Sequence, residues 1–61
     1  MQPEVELLLK RFEQVSDDCA DSLLAILKES DTNRRDVLRT IYNEKDIERQ
    51  NIAREIYRLT K

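Results

Sequence analysis

The chain has 61 residues, of which 39% are charged and 39% apolar, and its formal net charge is −2. It contains no His and a single Cys, which excludes an intrachain disulfide and leaves too few ligands for a structural zinc site. Because a single core of this size rarely supplies more than about 3–5 kcal/mol of stability, we expect self-association or partner binding to supply the remainder.

The composition favours helices. There is no Gly, and the turns of a β-sheet normally require it. Residues 1–30 carry three basic and seven acidic side chains, whereas residues 31–61 carry eight basic and six acidic ones. An acidic half followed by a basic half favours two halves lying side by side. Intrinsic disorder is the competing interpretation of so charged a chain, and the periodic apolar residues argue against it.

The first predicted helix spans about residues 3–28. Pro3 suits the first helical position, where its missing N–H costs nothing, and Glu4 and Glu6 follow at the positive end of the helix dipole. The apolar residues cover an arc of roughly 140° at the helical period, which is wider than the seam of a two-stranded coiled coil. The predicted core and self-association residues of this helix are Val5, Leu8, Phe12, Val15, Cys19, Leu23 and Ile26.

A clear break follows at residues 29–33, in the stretch ESDTN. Ser, Asp, Thr and Asn side chains bond to nearby backbone and so favour turns and helix caps. Asn33 is predicted to cap the second helix, with Asp36 three residues later as in a capping box, and Asp31 is an almost equal candidate. A loop this short joins antiparallel neighbouring helices.

The polar stretch Tyr42–Asn51 permits two interpretations. In one, Asn43 caps a third helix, and the fold is a three-helix bundle with a break near that residue. In the other, the helix is continuous over about residues 34–60 and Ile47 is exposed. The apolar residues on both sides of the stretch share one helix face, which favours the continuous helix. The predicted core residues of this helix are Leu38, Ile41, Ile52, Ile56 and Leu59.

The predicted fold is therefore all-α: a single domain, residues 1–61, forming an antiparallel hairpin of two long helices. Two helices cannot cover two wide apolar faces, so two hairpins are expected to form a homodimeric four-helix bundle. Its middle is predicted to hold a polar layer, in which Lys45 and Arg49 pair with acids of the first helix. The residues of that layer are Glu13, Asp17, Lys45, Glu48 and Arg49.

The sequence carries no catalytic constellation, cofactor motif or metal-binding spacing. Cys19 lies on the apolar stripe without an imidazole to activate it, and the nearby acids oppose thiolate formation. The acids at Glu13, Asp17, Asp18 and Asp21 are spread over a broad side of the helix, and no loop wraps ligands around an ion. We therefore expect no enzymatic activity, no cofactor and no metal site.

The predicted function is a small interaction, assembly or regulatory protein that pairs with itself and binds a larger protein. Its candidate partner face carries Arg35, Arg39, Arg54 and Tyr57. The alternative is a nucleic-acid-binding regulator that uses the basic outer side of the second helix. No apolar run approaches the roughly 18 residues of a membrane span, so no membrane partner is expected. The lone thiol and the lack of a visible export signal predict a reducing compartment, cytoplasmic or nuclear.

Overall fold

The computed structural model describes residues 2–61, which form an antiparallel hairpin of two helices. Helix α1 spans Pro3–Lys28 and helix α2 spans Thr32–Thr60. The helices pack against each other along an elongated body with Cα extents of 45 × 14 × 11 Å. Helix α2 runs through the polar stretch without interruption, so the alternative with a break near Asn43 is wrong. Ile47 is 57% exposed, as the continuous helix requires.

Helix α1 begins and ends as its sequence suggests. Pro3 occupies the first turn, and Glu4 and Glu6 follow it there. At the other end, Glu29 takes an extended conformation with φ −84° and ψ 125°, and its N–H donates to the carbonyls of Ala25 and Ile26. The chain therefore leaves the helix without a residue of positive φ, and no glycine is needed at this end.

The cap of helix α2 is Asp31. Its carboxylate Oδ1 accepts a hydrogen bond from the Asn33 N–H at 3.0 Å, while its own N–H donates to Glu29 Oε1 at 3.1 Å. The preference for Asn33 as the cap is wrong, because the helix begins at Thr32, two residues before the predicted Arg34. A charged carboxylate at the cap is favoured by the positive end of the helix dipole, which explains why Asp31 prevails.

Arg35 joins the two helices at the turn. Its Nε and Nη2 atoms donate to the Glu29 carbonyl oxygen at 3.1 and 2.6 Å. This carbonyl belongs to the C-terminal end of α1, where free carbonyls carry partial negative charge. The Arg35 side chain therefore supplies hydrogen-bond donors to the C-terminal end of α1 and holds the antiparallel turn closed.

The core of the single hairpin is small. Its buried residues in the described chain are Val5, Val15, Cys19 and Ile52, each 3–6% exposed. Val15, Cys19 and Ile52 form one cluster, and the partly covered Leu8, Phe12, Tyr42 and Ile56 pack against it. Leu23 and Ile41, both predicted to be core residues, are exposed at 45% and 41%. Two helices touch along one line, so the outer parts of a broad apolar stripe remain uncovered.

The cap assignment yields a direct prediction. Asp31→Ala should lower the free energy of unfolding by about 1 kcal/mol, because the Asn33 N–H loses its acceptor. Urea unfolding followed by circular dichroism measures this change. The matched controls are Ser30→Ala and Asn33→Ala, which should each have little effect. A larger loss from Asn33→Ala than from Asp31→Ala would restore Asn33 as the cap.

Candidate association site

The hairpin exposes more large apolar side chains than it buries. Four apolar residues are buried in the described chain, whereas eight large ones are exposed. Single exposed apolar residues are ordinary, but contiguous ones mark interaction surfaces. Leu27, Val37 and Tyr57 are among the most exposed, at 71%, 61% and 74%. The full set is Leu7, Leu23, Leu24, Leu27, Val37, Ile41, Ile47 and Tyr57.

Five of these eight residues cluster at the loop end of the hairpin. Leu23, Leu24 and Leu27 lie in the last turns of α1, and Val37 and Ile41 lie in the first turns of α2. The antiparallel turn brings these two segments level with each other. The loop end is therefore the most apolar part of the exposed surface, although Leu38 and Ile26 are partly covered there.

One flank of the hairpin is tied by ion pairs between the helices. Arg11 Nη2 lies 3.4 Å from Glu48 Oε1, and Lys45 Nζ lies 3.8 Å from Asp18 Oδ2. Arg11 and Asp18 are seven residues apart and so share one side of α1. We call this flank the ion-paired face. At about 100° per residue, its charged residues are Glu4, Arg11 and Asp18 of α1 and Glu44, Glu48 and Glu55 of α2.

These pairs differ from the predicted ones. Lys45 was expected to reach Asp17 and instead reaches Asp18, the neighbouring residue that faces α2 more directly. Arg49 was expected to reach Glu13 and instead pairs within α2, where its Nη2 atom lies 2.6 Å from Asp46 Oδ1. A carboxylate three residues away on the same helix lies within easy reach of an arginine. Glu48, a predicted member of the polar layer, pairs with Arg11 across the two helices.

The opposite flank carries few charges. It comprises the residues that lie within about 100° of Cys19 on α1 and of Ile52 on α2, on the side away from Arg11 and Glu48. We call it the apolar face. Its charged residues all belong to α2: Arg49 lies within the face, Lys45 lies near the line of contact and reaches Asp18, and Arg35 lies at the outer edge and binds the Glu29 carbonyl. Its apolar and small residues are Leu9, Phe12, Ser16, Ala20, Leu23 and Leu27 of α1 and Leu38, Tyr42, Ala53 and Ile56 of α2.

Arg49 is the charged centre of the apolar face. Its side chain is 39% exposed, so much of its stem is covered. The hydrogen bond to Asp46 raises the pKa of Arg49, with smaller contributions from Cys19 and Tyr42, which lie close by. Arg49 therefore keeps its positive charge while it stands beside the buried core.

Two predicted members of the polar layer stay apart from it. Glu13 and Asp17 are exposed, and neither forms a salt bridge within residues 2–61. They lie along the α1 edge of the apolar face, at positions further round the helix than Leu9 and Ala20. The single hairpin thus brings Lys45 and Glu48 into cross-helix pairs and leaves these two acids facing solvent.

The predicted partner face is divided by the structure. Arg35 is committed to the Glu29 carbonyl, whereas Arg39 and Arg54 are exposed. Arg54 and Tyr57 line a shallow concavity near the end of α2, together with Arg58 and Lys61. Arg58 was not among the residues predicted from the sequence, although an Arg three residues after a Glu is typical of a helical ion pair.

Arg58 and Glu55 form a close pair on the surface. The Nε and Nη2 atoms of Arg58 donate to the two carboxylate oxygens of Glu55, and the Nε bond measures 3.0 Å. This bidentate contact lowers the pKa of Glu55 and raises the pKa of Arg58. The geometry is that of a charge-assisted, bidentate hydrogen bond. One of the cations that line the concavity, Arg58, is therefore already paired.

The remaining chemistry of residues 2–61 is sparse. No group of three or more His, Cys, Asp and Glu side chains in this part of the chain is arranged to hold a metal ion. Neither α1 nor α2 is long and apolar enough to cross a bilayer. Cys19 is a free, buried thiol.

Comparison with known proteins adds no relative. The chain matches no family model, no curated protein and no solved structure.

The Glu55–Arg58 pair predicts a measurable titration. Glu55 should titrate below its ordinary pKa of 4.5, because Arg58 favours the charged carboxylate. Since the folded pKa is depressed, the stabilisation is present above the unfolded pKa and is lost as pH falls through the folded value. Carboxyl-carbon NMR across an acid titration measures it. Arg58→Gln should raise the pKa of Glu55 back towards its ordinary value, and an unchanged titration in that variant would contradict the pairing.

Proposed function

We propose that this chain is a small interaction and assembly protein without enzymatic activity. It pairs with a second copy through the apolar face and offers its remaining surface to a larger protein. The observation that carries the proposal is that eight large apolar residues are exposed in the described hairpin, whereas only four apolar residues are buried. Contiguous exposed apolar residues of this kind mark interaction surfaces.

The energetics of the single hairpin support this proposal. Fully burying one Val or Ile side chain contributes about 1.5–3 kcal/mol, and only four residues of that kind or smaller are buried. Covering Leu23 and Leu27 with a second copy adds apolar burial to this small core.

The surface left for a larger protein lies on the ion-paired face. Val37 and Ile41 stand at its loop end and Leu7 at its other end, with the Arg11–Glu48 pair between them. Apolar anchors separated by charged residues suit a partner that presents an amphipathic helix or a shallow groove. The buried free thiol of Cys19 suits the reducing compartment expected for such a protein.

Nucleic-acid binding is the second candidate. One observation favours it: the concavity formed by Arg54, Tyr57, Arg58 and Lys61 at the end of α2. An exposed aromatic ring beside cations can stack on a base and hold a phosphate. Glu55 neutralises Arg58 there, which weakens the attraction. Binding of single-stranded RNA that falls steeply with rising salt would support this candidate, and the lack of binding at low salt would remove it.

Self-association predicts a mass and a concentration dependence. Sedimentation equilibrium should give about twice the 7.3 kDa chain mass, and the melting temperature should rise with protein concentration. Leu27→Glu should raise the dissociation constant by roughly 10–100-fold, because the apolar contact is lost and a carboxylate is desolvated. The matched control is Ile47→Glu, at a similarly exposed residue outside the apolar face, which should leave the mass unchanged.

The opposite outcome is equally clear. A folded species of 7.3 kDa whose melting temperature is independent of concentration would overturn the self-association. An equal effect of Leu27→Glu and Ile47→Glu would mean that the apolar face is not the contact.

A further inference from the structure

We propose that the two copies meet with their loops at the same end, about a twofold axis parallel to the helices. In this arrangement α1 of one copy lies against α2 of the other, and Glu13 pairs with the partner's Arg49. The inference rests on the proposed self-association and adds the face, the orientation and the pairing that complete it.

The choice of face follows from the cost of desolvating charge. The ion-paired face carries the Arg11–Glu48 and Lys45–Asp18 pairs, and taking such pairs out of water often costs more than their attraction returns. On the apolar face, Asp46 accompanies Arg49, Lys45 is turned towards Asp18, and Arg35 is bound to the Glu29 carbonyl. At the apolar face, a second copy therefore removes apolar surface from water without desolvating the cross-helix ion pairs.

The size of the apolar face suits a second copy. The hairpin is 45 Å long and 14 Å wide between Cα atoms, and its side chains extend this outline to roughly 800 Å² on one face, the area that a standard stable interface buries per partner. Ser16 and Ala20 lie in the middle of the face, level with Lys45 and Ile41 in the register of the ion pairs. Small residues there allow a neighbouring helix to approach closely.

Charge decides the orientation of the two copies. The α1 edge of the apolar face carries Glu6, Glu13 and Asp17, and the α2 edge carries Arg35, Arg39 and Asp46. Loops at opposite ends would set α1 against the partner's α1 and bring the acids of the two copies together. Loops at the same end instead set Glu13 level with the partner's Arg49, the cation of the apolar face, which is the complementary arrangement.

The register of the hairpin selects the pairing partner. Within one chain, the residue numbers of each cross-helix ion pair add to about 61. A twofold axis parallel to the helices keeps each residue at the same position along that axis. A residue of α1 is therefore level with a residue of the partner's α2 when their numbers also add to about 61. Glu13 is then level with the partner's Arg49, and Leu23 is level with the partner's Leu38.

Both members of the proposed pair have capacity for it. Glu13 is exposed and has no salt bridge in the described chain. Arg49 uses one Nη2 contact for Asp46, and a guanidinium has further N–H donors in a fork. The partner's Glu13 can therefore accept from Arg49 while Asp46 keeps its own bond. Glu13, the acid predicted from the sequence to pair with Arg49, then belongs to the second chain.

The orientation is tested by a distance between spin labels. Ser30→Cys, in a Cys19→Ala background, places one label on the loop of each copy for electron double resonance. Loops at the same end put the labels about 20–30 Å apart, a few helix spacings. Loops at opposite ends separate them by nearly the 45 Å length of the hairpin, which would overturn the arrangement. A species that remains monomeric removes the self-association as well, so the two failures are distinguishable.

The pairing is tested by exchanging charges, which leaves Cys19 in place. Glu13→Arg and Arg49→Glu should each raise the dimer dissociation constant about 10-fold or more, because like charges then meet across the interface. The double exchange should recover most of that loss. Asp21→Arg, the same charge change further from the face, is the control and should have little effect. A double exchange no better than the two losses combined, in a protein that still dimerises, would overturn the Glu13–Arg49 pairing.

Discussion

The central constraint on this molecule is that two helices cover each other along one line only. The apolar stripe of α1 is broader than that line, and α2 carries apolar residues on both sides of it. The four buried residues lie on the line, and residues such as Leu27 and Val37 lie off it at 71% and 61% exposure. The architecture, the thin core and the proposed association all follow from the mismatch between the width of the stripes and the width of a two-helix contact.

The polar middle of α2 fits this constraint. A wholly apolar second helix would expose still more apolar surface on the two flanks. Instead, Glu48 and Lys45 bind Arg11 and Asp18 across the helix pair, and this closes one flank with charge. Arg49 turns to the other flank, where Asp46 holds it beside Cys19 and Tyr42. The stretch therefore gives the hairpin one flank with cross-helix ion pairs and another that is largely apolar.

The helical pattern was sufficient to predict the hairpin and the continuity of α2. Apolar residues on both sides of the polar stretch keep a common phase only if the helix is unbroken, and Ile47 is exposed as that phase requires. The cap was less predictable, because Asp31 and Asn33 have similar capping chemistry and differ by two residues in where the helix starts. Arg35 carried no signal of its contact with the Glu29 carbonyl, since that contact exists only once the turn has formed.

The ion-pair partners were the part of the candidate site that the sequence did not predict. A small rotation of α1 about its axis decides whether Lys45 meets Asp17 or Asp18, and periodicity does not resolve one residue. Arg49 had acids available on both helices, and the nearer Asp46 on its own helix holds it. Leu23 and Ile41 belong to the correct stripes, yet the single hairpin leaves them 45% and 41% exposed. Patterns within one chain predict which residues are apolar and cannot supply the surface that covers them.

Methyl NMR with a soluble paramagnetic agent tests most directly whether a second copy covers the apolar face. With rising protein concentration, the methyl groups of Leu23 and Leu27 should become protected from the agent, whereas Ile47 should stay accessible at every concentration. Protection that never develops at Leu23 and Leu27, or that develops equally at Ile47, would contradict the claim.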